Sequence, residues 1–482
     1  MIRLPLSRRR VALLVAAGPV VMTSVLAIAW IHSGRIPAFG DEPHYLIMAE
    51  SIGRDHDFEL RNNYWLEARA PRFIGAIDPH TVQIGHRWYS IHGPALGILL
   101  APSVQFGGVM AARVTTCVLA GAFSWALFLW LDWLVGRQSA VWLSLSAVLS
   151  VPYVFGSVHL YPDAVAGALV AGLVFWLHRA TERPGGPAGW IGFWLVTGML
   201  PALMVKFVAP AAVLTSFAFM MAATGRRRRR DLHALLASSP LVLVGSLLLL
   251  AYHKSAFGTL LGVRGSGELT QDLRQATTIF LGLHFDQAQG MFLQHPLLLA
   301  GVPALGILAI RAPRLAAAWC ALYASLIIPN ALQVIPYGGA SPSGRFGWPA
   351  AWLWLVPLGI ESRRHGFVCR RLLRPLAVAS LGYQAVLAVR WLPAPMSNTT
   401  LFDPRLAIRN SLFPVPLRGW LPSFYSVDFL SHPPNIVAIV LASVLMMSGP
   451  VAWWWHARHV GVTRDGASAC EDRPDSSRGN GS

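Results

Sequence analysis

The sequence predicts an all-α polytopic membrane protein, and three observations indicate this class. Of the 482 residues, 54% are hydrophobic and only 13% are charged, whereas a soluble domain carries about a quarter charged residues. The mean hydropathy is +0.50, and apolar segments near the roughly 20 residues that cross a bilayer recur along the chain. The 19 Trp residues also fit this class, because indole rings favour the membrane–water interface.

We predict about 12 transmembrane helices from these apolar segments. They lie near residues 11–32, 109–134, 139–157, 164–180, 188–204, 207–224, 234–252, 295–311, 315–332, 347–361, 375–391 and 434–456. The first is too long for a signal peptide and lacks a clear small-residue cleavage site, so we interpret it as an uncleaved span. Residues 94–107 are apolar but short and contain two prolines. We interpret them as an interfacial or re-entrant helix.

The positive charge is concentrated in arginine runs beside apolar segments. The formal net charge is +17, a value that raises the question of nucleic-acid binding. However, the strongest basic runs, at residues 8–10, 226–230 and 363–374, each adjoin a predicted span. This placement is typical of cytoplasmic loops that follow the positive-inside rule. We therefore predict no nucleic-acid partner and place both termini on the cytoplasmic side.

The predicted topology divides the chain into a transmembrane domain, residues 1–456, and a polar tail, residues 457–482, expected to be disordered and cytoplasmic. Within the domain, residues 33–108 form a large first extracytoplasmic loop that we expect to carry interfacial helices. This loop contains a large share of the 22 acidic residues, namely Asp41, Glu42, Glu50, Asp55, Asp57, Glu59, Glu67 and Asp78. Loops of this length in a compact protein usually carry function.

Two adjacent acids, Asp41 and Glu42, open this loop in the stretch GDEPHYLIMAES. One interpretation is structural: Asp41 caps a helix whose first turn contains Pro43. The other is that Asp41 acts as a general base at the membrane surface and Glu42 supports it as a ligand or hydrogen-bond acceptor. A cap uses only one of the two acids, so the functional interpretation stays open.

Further charged residues lie on the same predicted outer face. Asp163, in HLYPDAVAG, is either a second helix cap or a partner of Asp41 in binding a divalent cation or an acceptor. Lys206 and Lys254 are the only lysines of the chain, and each is a candidate for binding a phosphate or for anchoring a span at the interface. Arg345 follows a Gly/Ser-rich turn and is a candidate for bidentate phosphate binding.

Three aromatic or imidazole side chains complete the candidate set. His44, Tyr45 and His92 are candidate acceptor-binding or metal-binding residues in the first loop, although a lone histidine at an interface is more often neither. The sequence contains no P-loop, which argues against an ATP-driven pump, and no HExxH, GxSxG or CxxC pattern. The four cysteines lack disulfide or metal spacing, so we expect free thiols.

The ordered set of short motifs resembles the GT-C-fold glycosyltransferases that use polyprenyl-phosphate sugars, a superfamily that includes protein O-mannosyltransferases and lipid A aminoarabinose transferases. The motifs are GDEPHYL, NNY at 62–64, HGP at 92–94, YPD at 161–163, FDQ at 285–287 and GGASPSGRF at 338–346. They are most similar to a bacterial branch without an assigned substrate. The resemblance covers most of residues 10–400.

The resemblance implies a multi-pass enzyme of the bacterial plasma membrane with an extracytoplasmic active site. Asp41 would act as general base, and the cations Lys206, Arg345 and Lys254 would bind the donor phosphate. The implied partners are a polyprenyl-phosphate sugar, membrane lipid, and a glycan, lipid or protein acceptor. A divalent cation held by Asp41 and Asp163 stays open, since some relatives use one. The alternatives are a flippase or transporter of lipid-linked glycans, and a ligase or polymerase acting on them.

Overall fold

Helices form nearly all of the regular structure of the chain. The computed structural model describes residues 7–459 except 36–37, 39, 183–185, 225–228, 261–268, 340, 365–366 and 394–410. Nearly all of the tail predicted to be disordered, and part of the basic run at 226–230, lie outside the described residues. Cys117 and Cys320 are free thiols, as expected.

The N-terminal half contains a long first helix, a mixed first loop and then a series of mainly apolar helices. Its helices are α1 (Arg8–His32), α2 (Glu42–Glu50), α3 (Arg61–Arg69), α4 (Pro94–Val135), α5 (Arg137–Val148), α6 (Val151–Val158), α7 (Pro162–Glu182), α8 (Gly186–Leu203), α9 (Val208–Thr224) and α10 (Arg229–Ser238). Two strands, β1 (Thr81–Ile84) and β2 (Arg87–Ser90), form an antiparallel hairpin in the first loop.

The C-terminal half adds nine helices among the described residues. They are α11 (Leu241–Phe257), α12 (Leu273–Phe285), α13 (Met291–Gln294), α14 (Gly301–Arg311), α15 (Pro313–Ala331), α16 (Trp348–Ala351), α17 (Leu355–Arg364), α18 (Phe367–Trp391) and α19 (Pro433–His459). Short 3-10 turns join several of them, including Val205–Phe207 between α8 and α9 and Arg345–Gly347 before α16. These two turns supply site residues.

Six helical segments of the described chain are long and apolar enough to cross a membrane, or seven if the bent pair α5 and α6 is one span. They include α1, α4, α7, α18 and α19, and the sixth runs through α10 and α11. The other predicted spans correspond to helices that are shorter, less apolar or interrupted, such as α9 and α14. The membrane class is therefore supported, and the number of twelve crossings stays a prediction.

The longest helix, α4, is broken where the sequence divides it. Gly107 and Gly108 have non-helical backbone angles, and Gly108 has φ +58° and ψ −142°. Glycine reaches this region readily because it has no Cβ. The break separates residues 94–107 from the following span, at the boundary predicted from sequence. Helix α4 then contacts α1, α2, α5 and α7 and so forms the centre of the N-terminal half.

The first loop differs from its prediction in two ways. All nine residues of α2 are buried, and α2 packs against α4. An interfacial helix keeps one face toward lipid or water, whereas protein covers α2 on every side. The all-α prediction also missed the β1–β2 hairpin, which pairs Thr81 with Ser90. Both features position side chains of the site.

Candidate active site

Four charged side chains from distant parts of the sequence converge in one cluster. Arg345 donates from Nη1 to Asp41 Oδ2 and from Nε to Asp163 Oδ2, both at 2.9 Å. Lys206 donates from Nζ to Asp163 Oδ1. The structure thus brings together the first-loop acid, the acid at the start of α7 and two of the three predicted phosphate-binding cations. We call Asp41, Asp163, Lys206 and Arg345 the charge cluster.

Arg345 belongs to a turn, and a second loop supports the backbone of that turn. Gly344, just before Arg345, has φ +75°, a region that favours glycine, and a Cβ at this position would lie 2.4 Å from Gln294 Oε1 and push the Gln294 amide aside. The Gly344 N–H donates to Gln289 Oε1 at 2.7 Å. Gln289 belongs to the FDQAQG segment, residues 285–290, which therefore supports the turn that carries Arg345.

Asp286 orders this supporting segment. It accepts hydrogen bonds from the N–H groups of Ala288, Gln289 and Phe424 at 2.7–2.9 Å. Burial raises the pKa of Asp286 to about 6, and the three amide donors oppose this shift. The acid is engaged by backbone amides on both carboxylate oxygens, so its role is structural.

An amide and an aromatic ring position Lys206, and a second ring lies against Arg345. Asn330 accepts from Lys206 Nζ through Oδ1 at 2.8 Å and donates through Nδ2 to the Phe346 carbonyl at 3.1 Å. The ammonium also lies 4.3 Å from the centroid of the Phe346 ring, and the Arg345 guanidinium lies 3.8 Å from that of Tyr161. Cation–π contacts of this kind stabilise cations that have lost water.

Asp41 is the most exposed member of the charge cluster. Its side chain is 21% exposed, against 2% for Arg345 and 0% for Asp163. Burial raises the pKa of Asp41, but the charges of Arg345, His92 and His80 outweigh it and hold the pKa well below its usual range. Asp41 is therefore an ionised carboxylate that a bound molecule can reach.

The helix-cap interpretation does not account for either acid. Asp41 precedes α2, but its side chain makes no capping hydrogen bond and turns to Arg345. Asp163 lies inside the first turn of α7 and gives both oxygens to cations. Neither carboxylate satisfies the N–H groups of a helix N-terminus, which is what a cap does.

Histidines of the first loop surround the other oxygen of Asp41. His80 Nδ1 and His92 Nε2 lie 3.6 and 3.9 Å from Asp41 Oδ1 and 3.2 Å from each other. His44 stacks on His80 with ring centroids 3.8 Å apart, and Tyr45 lies against His92 at 4.9 Å. The predicted residues His44, Tyr45 and His92 thus all lie around Asp41 or its histidine neighbours.

Sequence analysis missed His80, although a signal for it exists. The segment TVQI alternates polar and apolar residues, and a glycine-containing two-residue turn separates it from the aromatic-containing RWYS, which is typical of a hairpin. In the observed register His80 and Ile91 flank the hairpin, and the Ile91 N–H donates to the His80 carbonyl. Assigning the hairpin would have placed His80 beside His92.

Glu42 turns away from the charge cluster toward Arg113, and its described contacts do not support the supporting role predicted for it. Its carboxylate is fully buried and pairs with Arg113 through two bonds of 3.0 and 3.2 Å. The Leu160 N–H and His159 Nδ1 also contact it, at 2.6 and 3.1 Å. Burial raises the pKa of Glu42, but Arg113 and His159 lower it to about 2. Glu42 instead joins α2 to α4 and to the α6–α7 junction.

Lys254 also lies apart from the charge cluster. It is exposed near the end of α11 and donates to the Gly258 carbonyl at 3.0 Å. This is the usual position of a cation at a helix C-terminus. The prediction that it binds donor phosphate finds no supporting contact in the described part of the chain.

A large cavity lies beside the histidines, between the first loop and α11. Its volume is about 1370 Å³, and aromatic rings together with acids form its walls. The lining includes Asp57, Glu59, Tyr64, Trp65, Trp88 and Tyr252. Tyr64 links it to the site, because its hydroxyl lies 2.6 Å from His44 Nδ1. Burial and the neighbouring His80 lower the pKa of His44 to about 4.

Comparison with known proteins gives distant structural likenesses. No protein-family model and no curated protein matches the chain. The crystal structure of ArnT from Cupriavidus metallidurans in the apo state aligns with 92% of this chain and 73% of that chain, at 13% identity and a TM-score of 0.48. The structure of the same protein bound to undecaprenyl phosphate aligns over 92% and 80%, at 14% identity and 0.45. The site residues carry the functional proposal below.

The buried position of Glu42 gives a prediction about stability. Glu42→Gln removes the carboxylate charge opposite Arg113, which is fully buried, and breaking a buried ion pair costs about 3–5 kcal/mol. We expect a lower midpoint of thermal unfolding for the detergent-solubilised protein and a lower yield in membranes. The exposed Asp78→Asn in the same loop is the matched control. Equal midpoints for the two variants would show that Glu42 does not anchor α2.

Proposed function

We propose that the protein is a membrane glycosyltransferase that moves a sugar from a polyprenyl-phosphate donor to a cell-envelope acceptor. One observation carries the proposal: an ionised, partly exposed carboxylate, Asp41, lies beside the buried cations Arg345 and Lys206. A base next to cations is what the reaction needs, because a proton leaves the acceptor while negative charge develops on the departing phosphate. The lipid carrier is inferred from the resemblance of the loop motifs.

Asp41 is the better candidate base of the two acids in the charge cluster. Asp163 uses Oδ1 for Lys206 and Oδ2 for Arg345, so it holds the two cations in position. Asp41 gives Oδ2 to Arg345, while Oδ1 faces the two histidines and the open side of the site. A candidate base must come within about 3 Å of the proton that it takes, and Asp41 is the more exposed carboxylate.

The proposed reaction has a simple balance of bonds. The acceptor oxygen or nitrogen attacks the anomeric carbon of the donor sugar and loses its proton to the Asp41 carboxylate. The bond between that carbon and the phosphate oxygen breaks, and the electron pair leaves with the lipid phosphate. Arg345 and Lys206 stabilise the charge on the phosphate. Removing one such donor from an enzyme typically costs about 10²–10³ in rate.

The aromatic cavity is the proposed approach path of the acceptor. Binding sites for small molecules are concave and lined by aromatic side chains with a few polar groups, and this cavity combines tryptophan and tyrosine rings with acids. Its volume of about 1370 Å³ exceeds the roughly 300–1,000 Å³ typical of drug-sized ligands. A polar head group of several saccharide units fits this size and chemistry.

The base assignment predicts the behaviour of Asp41→Asn. Asparagine keeps the shape but cannot accept the proton, so transfer should fall by about 10²-fold or more. The assay supplies membranes with radiolabelled polyprenyl-phosphate sugars and follows label in the envelope acceptor. Asp78→Asn is the control, because that acid is exposed and lies in the same loop. Undiminished transfer by folded Asp41→Asn would refute the assignment, and a flippase would show donor translocation without transfer.

The two lysines provide a matched test of the donor site. Lys206→Ala should lower kcat/KM for the donor by about 10²-fold, because the ammonium at the charge cluster is lost. Lys254→Ala should stay close to wild type, since the described contact of that side chain is with the Gly258 carbonyl at the end of its own helix. Trp88→Ala, in the cavity wall, should raise the acceptor KM and leave the donor KM unchanged. Equal donor kinetics for both lysine variants would contradict the donor site.

The proposed extracytoplasmic face of the site has its own test. His86, exposed in the hairpin, should lie outside the cell, whereas Arg314, exposed at the start of α15, should lie inside. In a variant whose native cysteines are serines, His86→Cys should react with a membrane-impermeant maleimide in intact cells. Arg314→Cys should react only after permeabilisation. The reverse pattern would overturn the orientation.

A further inference from the structure

Three potential metal ligands point toward one another on the open side of Asp41. Asp41 Oδ1, His80 Nδ1 and His92 Nε2 lie within 4.8 Å of one another. Their separations are 3.2 Å between the two histidine nitrogens and 3.6 and 3.9 Å from these to the carboxylate oxygen. Each residue comes from a different part of the first loop: the residue before α2, the start of the hairpin and the segment after it.

We propose that Asp41, His80 and His92 bind a divalent transition metal, with zinc as the best match. A tetrahedral zinc with ligands at about 2.0–2.1 Å keeps those ligands about 3.3 Å apart, close to the separations found. Two imidazoles and one carboxylate with a fourth position open is the donor set of catalytic zinc sites. Magnesium and calcium prefer oxygen ligands throughout, so this donor set disfavours them.

The surroundings of the three ligands suit a metal site with an entrance. The His92 side chain is 2% exposed, whereas His80 is 41% exposed, so the site is fixed on one side and open on the other. His44 stacks on His80, and Tyr64 contacts His44 in turn. Neighbours of this kind orient the rings of ligating histidines. Arg345 binds Asp41 Oδ2, which leaves Oδ1 for the metal.

The role of the metal rests on the proposed function. Asp41 and Asp163 together balance the charges of Lys206 and Arg345, so a dication would give the site a net positive charge that suits a phosphate. Held by Asp41, His80 and His92, the metal would have its fourth position open to an acceptor oxygen or nitrogen and would lower the pKa of that nucleophile.

Metal binding can be measured without any transferase assay. Full-length protein with a non-histidine affinity tag is purified in detergent, stripped with a chelator and dialysed against zinc. We expect one bound zinc per chain by elemental analysis, and a visible absorption band of low-coordinate Co²⁺ that zinc abolishes and millimolar Mg²⁺ does not. His80→Gln should weaken binding by about tenfold or more. Because His80 is partly exposed, this variant should fold, which its thermal midpoint checks.

The matched control is His86→Gln, an exposed histidine in the turn of the same hairpin, which should bind zinc as wild type does. Equal zinc affinity of wild type and His80→Gln, or no stoichiometric zinc in wild type, would overturn the proposal. Since the readout is metal content, its failure is distinct from failure of the proposed function. If Asp41→Asn still transfers sugar but has lost zinc, the metal site stands and the base assignment falls.

Discussion

The position of one buried guanidinium constrains the whole site. Arg345 is 2% exposed, and a charge removed from water needs counter-charges at hydrogen-bonding distance. Asp41 and Asp163 supply these counter-charges, and the two residues are 122 positions apart in the sequence. Burial lowers the pKa of Arg345, but the two carboxylates outweigh it and raise the pKa above its usual value. The first loop, α7 and the turn before α16 are thereby brought together.

Polar contacts from two further segments hold the charge cluster in place. The FDQAQG segment holds the Gly344 turn through Gln289, and Asp286 orders that segment through three backbone amides. Asn330, on α15, joins Lys206 to the Phe346 carbonyl. Two apolar-rich regions of the chain thus supply polar groups that determine where the cations lie. A buried polar network makes a structure rigid when its donors and acceptors all have hydrogen-bond partners.

The sequence predicted the membrane class and named all four residues of the charge cluster, and the reason can be identified. Positive-inside topology assigns the ends of spans to one side of the membrane, so Asp41, Asp163, Lys206 and Arg345 could be placed on one face. The positive-inside rule does not say where in the plane of the membrane each residue lies, however. Lys254 lies at the same predicted face but belongs to the exposed end of α11, and only packing distinguishes it from Lys206.

The errors within the first loop have a different cause. Neighbouring residues on a helix start point in different directions, so Asp41 and Glu42 cannot both face the site. Sequence does not say which one is buried against Arg113. The hairpin was missed because its strands are only four residues each, and short alternating segments give weak signals among long apolar ones. His80 was lost with it.

The contrast between Asp41 and Glu42 has a mechanical consequence. Glu42 ties the start of α2 to Arg113 in α4 and to the α6–α7 junction, so the residue next to the candidate base belongs to the helical body. The histidines at the hairpin approach from the outer part of the loop. The site therefore lies between a wall that carries Asp41 and the cations and a second wall formed by the hairpin. The buried ion pair of Glu42 and Arg113 anchors the first wall, so an opening on the side of the more exposed His80 would leave that ion pair intact.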